Sequence, residues 1–258
     1  MRTKKRLDIL LTEKGLAETR KKAQAMILAG QVLVNGSPMT KAGHAIDEES
    51  ELRVRGGEHP YVSRGGIKLS AAIDAFHLSV EGRVALDVGA STGGFTHVLL
   101  LRGAAKVFAI DVGQNQLDWR IRQDPRVVVH EKVNARHLEF GFIGQKVDLI
   151  VADVSFISLG KIFPALTQFA TPETDWITLI KPQFEVGKEN VGKGGIVTSE
   201  EARQEALERL ARVAESLGLK RVNLIESPIT GTQGNKEFLA HWKLCPENSH
   251  KDKSSSEF

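Results

Sequence analysis

One short run holds five residues of the types that bind a nucleotide-like ligand. VALDVGASTGGFTHVLL (84–100) closes an apolar stretch with Asp87, turns through Gly89, Ser91, Gly93 and Gly94, and enters a helix-like segment. A dinucleotide fingerprint needs glycines spaced G-x-G-x-x-G. Its second glycine lets a pyrophosphate approach the backbone, and here Ser91 occupies that position. No lysine follows the glycines, so the turn is not a phosphate-cradling loop either. The next apolar run, AKVFAID, ends in Asp111, 22 residues past Gly89. An acid at that distance faces a ribose in βαβ units. A ribose without a pyrophosphate describes S-adenosylmethionine. The plain alternative is an ordinary α/β turn with no ligand.

Further polar residues fall at the ends of strand-like runs. RVVVHE leads to Asn134, VDLIVADV reaches Asp153, and DWITLIKP reaches Lys181. The last run, KEFLAHWKL, begins beside Asn235, Lys236 and Glu237. Ligands of open α/β sheets bind beyond the carboxyl ends of the strands. If the last strand runs antiparallel, its start shares that edge, and Asp153, Lys181 and Glu237 gather there. A lone charge at a strand end is usually a surface charge; three on one edge beside a cofactor turn suggest chemistry. Base-nitrogen methyltransferases commonly carry an Asn/Asp-Pro-Pro-aromatic motif after the fourth strand, whereas here the sequence is Asp153-Val154-Ser155-Phe156. Pyrimidine-carbon methyltransferases use a nucleophilic cysteine, and the single cysteine, Cys245, lies past the start of the last strand. Transfer to oxygen remains, and a ribose hydroxyl needs a base or strict orientation.

These residues need a scaffold, and from Tyr61 the chain alternates strand and helix patterns, which implies a parallel sheet covered on both faces. The runs VALDV, KVFAID, RVVVHE, VDLIVADV, DWITLIKP, KRVNLIES and KEFLAHWKL are its strands. SEEARQEALERLARVAESLGL reads as a helix, with Thr198 and Glu201 as a capping box, Leu207, Leu210, Val213 and Leu217 as the buried stripe, and Gly218 at its end. VGKENVGKGGIV (186–197) is a glycine- and lysine-rich loop able to close over a substrate. Upstream, RGGEHP (55–60) reads as a linker. We divide the chain into an N-terminal module at 1–55, a linker at 56–60, a catalytic domain at 61–246 and a polar, disordered tail at 247–258.

The N-terminal module reads as two helices and a hairpin. Leu7, Ile9, Leu10 and Leu11 precede a stop at Gly15; Thr19 caps a helix with Ala23, Met26 and Ile27 on one face; Asn35-Gly36 marks a tight hairpin turn. Residues 1–41 carry nine Lys or Arg against three acids, a net +6 in a chain of net +3. That asymmetry suits a polyanionic partner. Arg20, Lys21 and Lys22 occupy a helix first turn, where the macrodipole disfavours cations. A phosphate held there would explain them, and Arg6 joins them as a candidate contact.

Composition bounds the rest. The 258 residues are 41% hydrophobic and 26% charged, as in soluble globular proteins. No apolar run approaches the ~18 residues of a transmembrane span. The charged start MRTKKRLDILL is interrupted by Asp8 and lacks a cleavage site, so a signal peptide is not expected. One cysteine excludes an internal disulfide, and eight scattered histidines give no metal-ligand spacing. No metal and no membrane association are expected, and the cytoplasm is the expected location.

The segment 5–55, with KKAQAMILAGQVLVNG, resembles the small RNA-binding module shared by a ribosomal small-subunit protein, some pseudouridine synthases and tyrosyl-tRNA synthetases, whose second helix supplies RNA-facing cations. YVSRGGIKL (61–69), LDVGASTGGFT (86–96), DLIVADVSFISL (148–159), LIKPQFEVGK (179–188) and SPITGTQGNKEFL (227–239) together resemble the TlyA-type haemolysins, ribosomal RNA 2′-O-methyltransferases with an FtsJ-like catalytic domain. The resemblance implies a Rossmann-like methyltransferase sheet of six parallel strands and one antiparallel, preceded by a small α+β RNA-binding domain. It implies S-adenosylmethionine as cofactor and ribosomal RNA or a ribosomal subunit as partner, with a cytidine ribose as target. The cofactor would meet Asp87, Gly89, Ser91, Gly93, Gly94, Asp111, Asn134 and Asp153. The Lys-Asp-Lys-Glu tetrad of FtsJ-like enzymes falls on Lys68, Asp153, Lys181 and Glu237. Many relatives have Tyr after the Asp-Val-Gly of the second strand, where this chain has Gln114-Asn115. The family name carries a rival function, membrane lysis; a ribosome-assembly factor without turnover is a third reading.

Overall fold

The computed structural model describes residues 4–17, 19–28, 30–54, 59–231 and 234–245. Linker residues 56–58 and the tail at 247–258 lie outside them. The chain divides into two compact units, Met1–Pro60 and Tyr61–Phe258.

In the first unit, β1 (Lys4–Arg6) leads into α1 (Leu7–Glu13) and α2 (Arg20–Leu28), followed by β2 (Val32–Val34), β3 (Ser37–Met39), β4 (Ala45–Asp47) and β5 (Leu52–Val54). Gly15 at φ +69 lets the chain leave α1. Thr19 Oγ1 accepts the Lys22 amide at 3.1 Å, so Thr19 does cap α2. Asn35 and Gly36 both have positive φ, the turn that matches strand twist in a two-residue hairpin. β2 is the centre of a β3-β2-β5 sheet, and β1 pairs antiparallel with β4. The β1–β4 pair was not expected, because three-residue strands are too short to show an alternating pattern. Leu7, Leu11, Ala23, Ile27 and Val32 form the unit's core, while Ile9 is only half-buried.

The second unit is a seven-stranded sheet with helices on both faces. Helix α3 (Gly65–Ala75) precedes β6 (Val84–Val88); α4 (Gly94–Leu101), β7 (Lys106–Ile110), the short α5 (Trp119–Arg122), β8 (Val127–His130), β9 (Leu149–Ala152), α6 (Phe163–Thr167), β10 (Asp175–Ile180), α7 (Pro182–Glu185), α8 (Glu200–Glu215), β11 (Leu219–Glu226) and β12 (Phe238–Leu244) follow. The order is β11-β12-β10-β9-β6-β7-β8. β12 runs antiparallel to both neighbours and the other pairings are parallel, which gives the six-plus-one arrangement.

Two consequences position the site. The chain runs outward from β6 to β8 and then returns to β9 on the other side, so the order reverses between β6 and β9. Ligands bind at such a switch point. Second, Ile180 pairs with Phe238. The residue after β10, Lys181, and the residue before β12, Glu237, therefore meet at one edge.

Helix α8 corrects two expectations. Its cap is Ser199, whose Oγ accepts the Ala202 amide at 3.0 Å, rather than Thr198. Its buried face holds Ala202, Ala206, Leu207, Leu210 and Ala214, while Val213 is exposed and Leu217 lies past the helix end, half-buried. Small alanines let the helix sit close to the sheet, and a reading based on large side chains misses them.

Candidate active site

The glycine turn is built on a buried acid. Asp87, near the end of β6, is fully buried, and Thr96 Oγ1 donates to its Oδ2 at 2.6 Å. Its Oδ1 is buried without a hydrogen-bond partner among the described residues. Burial is the main influence that pushes the Asp87 carboxyl up to about 7; Thr96 opposes it, and the charges of Asp153 and Asp111 add to it. Gly89, at φ +84, lies so close to the end of β9 that a Cβ would stand 2.5 Å from the Asp153 carbonyl oxygen. Gly93, at φ +93, starts α4 in the left-handed region. The bare Cα of Gly94 serves packing: a Cβ there would meet Ser63 Oγ, just before α3, at 2.2 Å.

Asp111 does structural work as well. Its carboxylate accepts the Ser91 amide at 2.8 Å and the Gly113 amide at 2.6 Å, tying the glycine turn to the loop after β7. Each oxygen keeps acceptor capacity for a further donor. The Lys132 amide donates to the Gly113 carbonyl and the Val133 amide to that of Asp111, so the Asn134 loop runs beside the Asp111 loop. The Asn134 side chain itself accepts the Arg136 amide and is exposed.

Across the switch point sit two ion pairs. Lys181 Nζ lies 2.6 Å from Asp153 Oδ1. Lys68 Nζ donates to Glu237 Oε2 at 2.5 Å. Both are largely enclosed; the Glu237 side chain is 3% exposed and that of Lys68 10%. Lys68 reaches this edge from the first turn of α3. A cleft of about 310 Å³ is lined by Lys181, Glu237, Ser155, Phe156, Phe184 and Gly195, among others. The four residues of the expected tetrad thus stand as two pairs on the same edge, with one member of each on the cleft wall.

Three further groups support this edge. Ser155 Oγ accepts a hydrogen bond from Lys181 Nζ at 2.8 Å. The Glu185 carboxylate, 3% exposed, accepts Ser158 Oγ at 2.6 Å and the Leu159 amide at 2.8 Å, joining α7 to the loop after β9. Asn235, 2% exposed, accepts the Val197 amide and donates to the Gly195 carbonyl, pinning the 186–197 loop to the start of β12. Glu185 had a visible signal, an acid between Phe184 and Val186 four residues after Lys181.

In the N-terminal unit, Asp8 is fully buried. Its carboxylate accepts two hydrogen bonds from Arg6, one from Arg20 at 2.9 Å and one from Gln24 at 2.8 Å. These bonds, that of Arg6 foremost, hold the Asp8 carboxyl well below the usual carboxylate range against the effect of burial. Arg6 and Arg20 were expected purely as polyanion contacts; their first partner is Asp8. A buried carboxylate needs cations. Both guanidinium groups remain about half exposed. Lys21 and Lys22 are exposed.

Residues 61–244 match the FtsJ-like methyltransferase family, and residues 5–52 match the S4 domain. A Mycobacterium tuberculosis protein named 16S/23S rRNA (cytidine-2′-O)-methyltransferase TlyA is 48% identical over 240 residues, spanning 93% of this chain and 90% of its own. Hemolysin A of Brachyspira hyodysenteriae is 44% identical over 238 residues, 92% of this chain and 99% of its own. A solved hemolysin-named structure from Streptococcus thermophilus has a TM-score of 0.74 at 43% identity, covering 95% of this chain and 90% of that one.

Proposed function

The chain belongs to the FtsJ-like methyltransferase family, and on that premise we propose that it transfers a methyl group from S-adenosylmethionine to a ribose 2′-hydroxyl of ribosomal RNA. The observation that carries this reading is the cleft on which Lys181 and Glu237 stand, each in contact with its opposite charge from Asp153 or Lys68. The name of the mycobacterial relative supports a cytidine as target. Residues 1–55 serve RNA binding, 56–60 link, and 61–246 carry the chemistry. A ribosomal RNA substrate fits a cytoplasmic enzyme.

The residues around the glycine turn fit the cofactor. Asp87, Asp111 and Asp153 are close enough for the latter two charges to act on Asp87, and the turn itself carries no cation. Such a setting suits a ligand with a sulfonium and an ammonium and disfavours a pyrophosphate. Asp87, Gly89, Ser91, Gly93, Gly94, Asp111, Asn134 and Asp153 would hold it, with Asp111 on the ribose. When bound, the cofactor supplies an electrophilic methyl group that leaves a neutral thioether behind. Lys181 takes the proton of the attacking 2′-hydroxyl. Asp153 holds Lys181 by charge, and the Lys68–Glu237 pair fixes the opposite wall while keeping the cluster from being net cationic.

The rival activity rests on the name of the Brachyspira relative. Among the described residues no helix is long and apolar enough to cross a membrane. The test is incubation with methyl-labelled cofactor and ribosomal RNA or subunits. The expected product carries label at a nucleotide whose 3′ linkage has become alkali-resistant. Label in a base, or no label in any ribosomal substrate, would overturn the proposal.

A further inference from the structure

We propose that Ser155 is a positioning residue, which aims the lone pair of Lys181 at the substrate hydroxyl. The proposal rests on the reading of Lys181 as the proton acceptor.

The two partners of Lys181 differ in kind. Asp153 Oδ1 lies 2.6 Å from Nζ, yet among the described residues it receives no hydrogen bond of good geometry. Ser155 Oγ receives one at 2.8 Å. Asp153 therefore supplies charge, which is nearly non-directional, and Ser155 supplies direction. A neutral primary amine has two N–H bonds and one lone pair. With one N–H on Ser155 Oγ and the other on the Asp153 side, the lone pair takes the remaining tetrahedral position. Lys181 lines the cleft, and the proposal assigns that position to the substrate hydroxyl there. Without Ser155, the amine turns about its terminal bond, and the lone pair spends less time in line with the hydroxyl proton.

The loop carrying Ser155 is built to hold it there. Phe156 follows with φ +65, a left-handed conformation that costs a bulky side chain of order 1–3 kcal/mol. The burial of Phe156 does not compensate this, because it is 91% exposed. The loop is held instead from its far end, where Glu185 grips Ser158 and Leu159. A strained turn anchored at its far end and placing a hydroxyl on an ammonium marks a functional constraint.

The step balances simply. The 2′-oxygen forms a bond to the methyl carbon, the carbon–sulfur bond breaks with its electron pair going to sulfur, and the hydroxyl proton goes to Lys181 Nζ. Ser155 keeps its own proton throughout.

The experiment measures single-turnover methylation of ribosomal RNA against pH, up to the plateau, for wild type, Ser155→Ala, Ser155→Thr and Lys181→Arg. RNA and cofactor affinities are measured alongside and report intact folding. Ser155→Ala should lower the plateau roughly ten- to a hundredfold with both affinities unchanged, a loss of orientation rather than of binding. Ser155→Thr, which keeps the hydroxyl, should recover most of the rate. A wild-type plateau in Ser155→Ala overturns the proposal. Lost RNA affinity with an intact plateau also overturns it, making Ser155 a substrate contact. An active Lys181→Arg removes the premise itself; an inactive Lys181→Arg beside an unaffected Ser155→Ala overturns the role of Ser155 alone.

Discussion

Lys68→Met isolates what the enclosed Lys68–Glu237 pair is for. The substitution keeps the length of the side chain and removes the ammonium. It leaves the Glu237 carboxylate, 3% exposed, without its 2.5 Å cation. A buried charge stripped of its partner costs about 3–5 kcal/mol. For a unit of this size each kcal/mol lowers Tm by about 2–4 °C, so the variant should melt about 6–20 °C below wild type. Adding Glu237→Met should recover most of that loss, because two apolar side chains of similar volume commonly match a buried pair in stability. The second substitution is then stabilising in the background of the first, which isolated contacts do not produce. Denaturant titrations of wild type, both singles and the double give the coupling, which should exceed about 2 kcal/mol.

Methylation assays on the same four proteins complete the argument. The double variant should be nearly as stable as wild type and inactive, showing that the pair is kept for chemistry and not for folding. Two results would refute the reasoning. If Lys68→Met costs less than about 1 kcal/mol, the pair is solvated and the burial argument fails. If the double variant methylates RNA normally, Lys68 and Glu237 do not belong to the catalytic cluster.

Lys181→Arg should abolish methylation with cofactor and RNA binding near wild type, since arginine cannot give up its proton; substantial activity would reduce Lys181 to an electrostatic positioner. The Asp87 carboxyl is raised from 3.8 to about 7, so the stability it contributes is full below about 3.8, falls as pH rises, and is gone above about 7. That span corresponds to about 4 kcal/mol at most; Asp87→Asn should remove this part of the pH dependence, and parallel stability–pH curves for the two proteins would count against it. With Arg20 engaged by Asp8, Lys21→Ala/Lys22→Ala should flatten the salt dependence of RNA binding by roughly two phosphate contacts. An unchanged slope would remove these lysines from the RNA interface, while Arg20→Ala is expected to cost stability as well as affinity.

How much of the site was legible depended on whether each residue's position follows from local periodicity. Asp153, Lys181 and Glu237 end or begin strands with strong apolar patterns, and one assumption, that the last strand is antiparallel, brought them to one edge. Lys68 follows no such rule. It lies on a helix that precedes the whole sheet, and the packing of α3 across it is a long-range fact, so only the family resemblance singled it out. Ser155 is hidden for another reason: its aim depends on a left-handed Phe156 and on an anchor 27 residues downstream of Ser158. Asp8 lay within reach. The helical period of 3.6 puts it on the same side as Leu11, three residues on and fully buried. An acid on an inward face must find donors, and the nearby cations are Arg6 and Arg20. Part of the excess positive charge of the first 41 residues therefore neutralises a carboxylate that joins α1 to α2, so net charge alone overstates what such a segment offers to a phosphate.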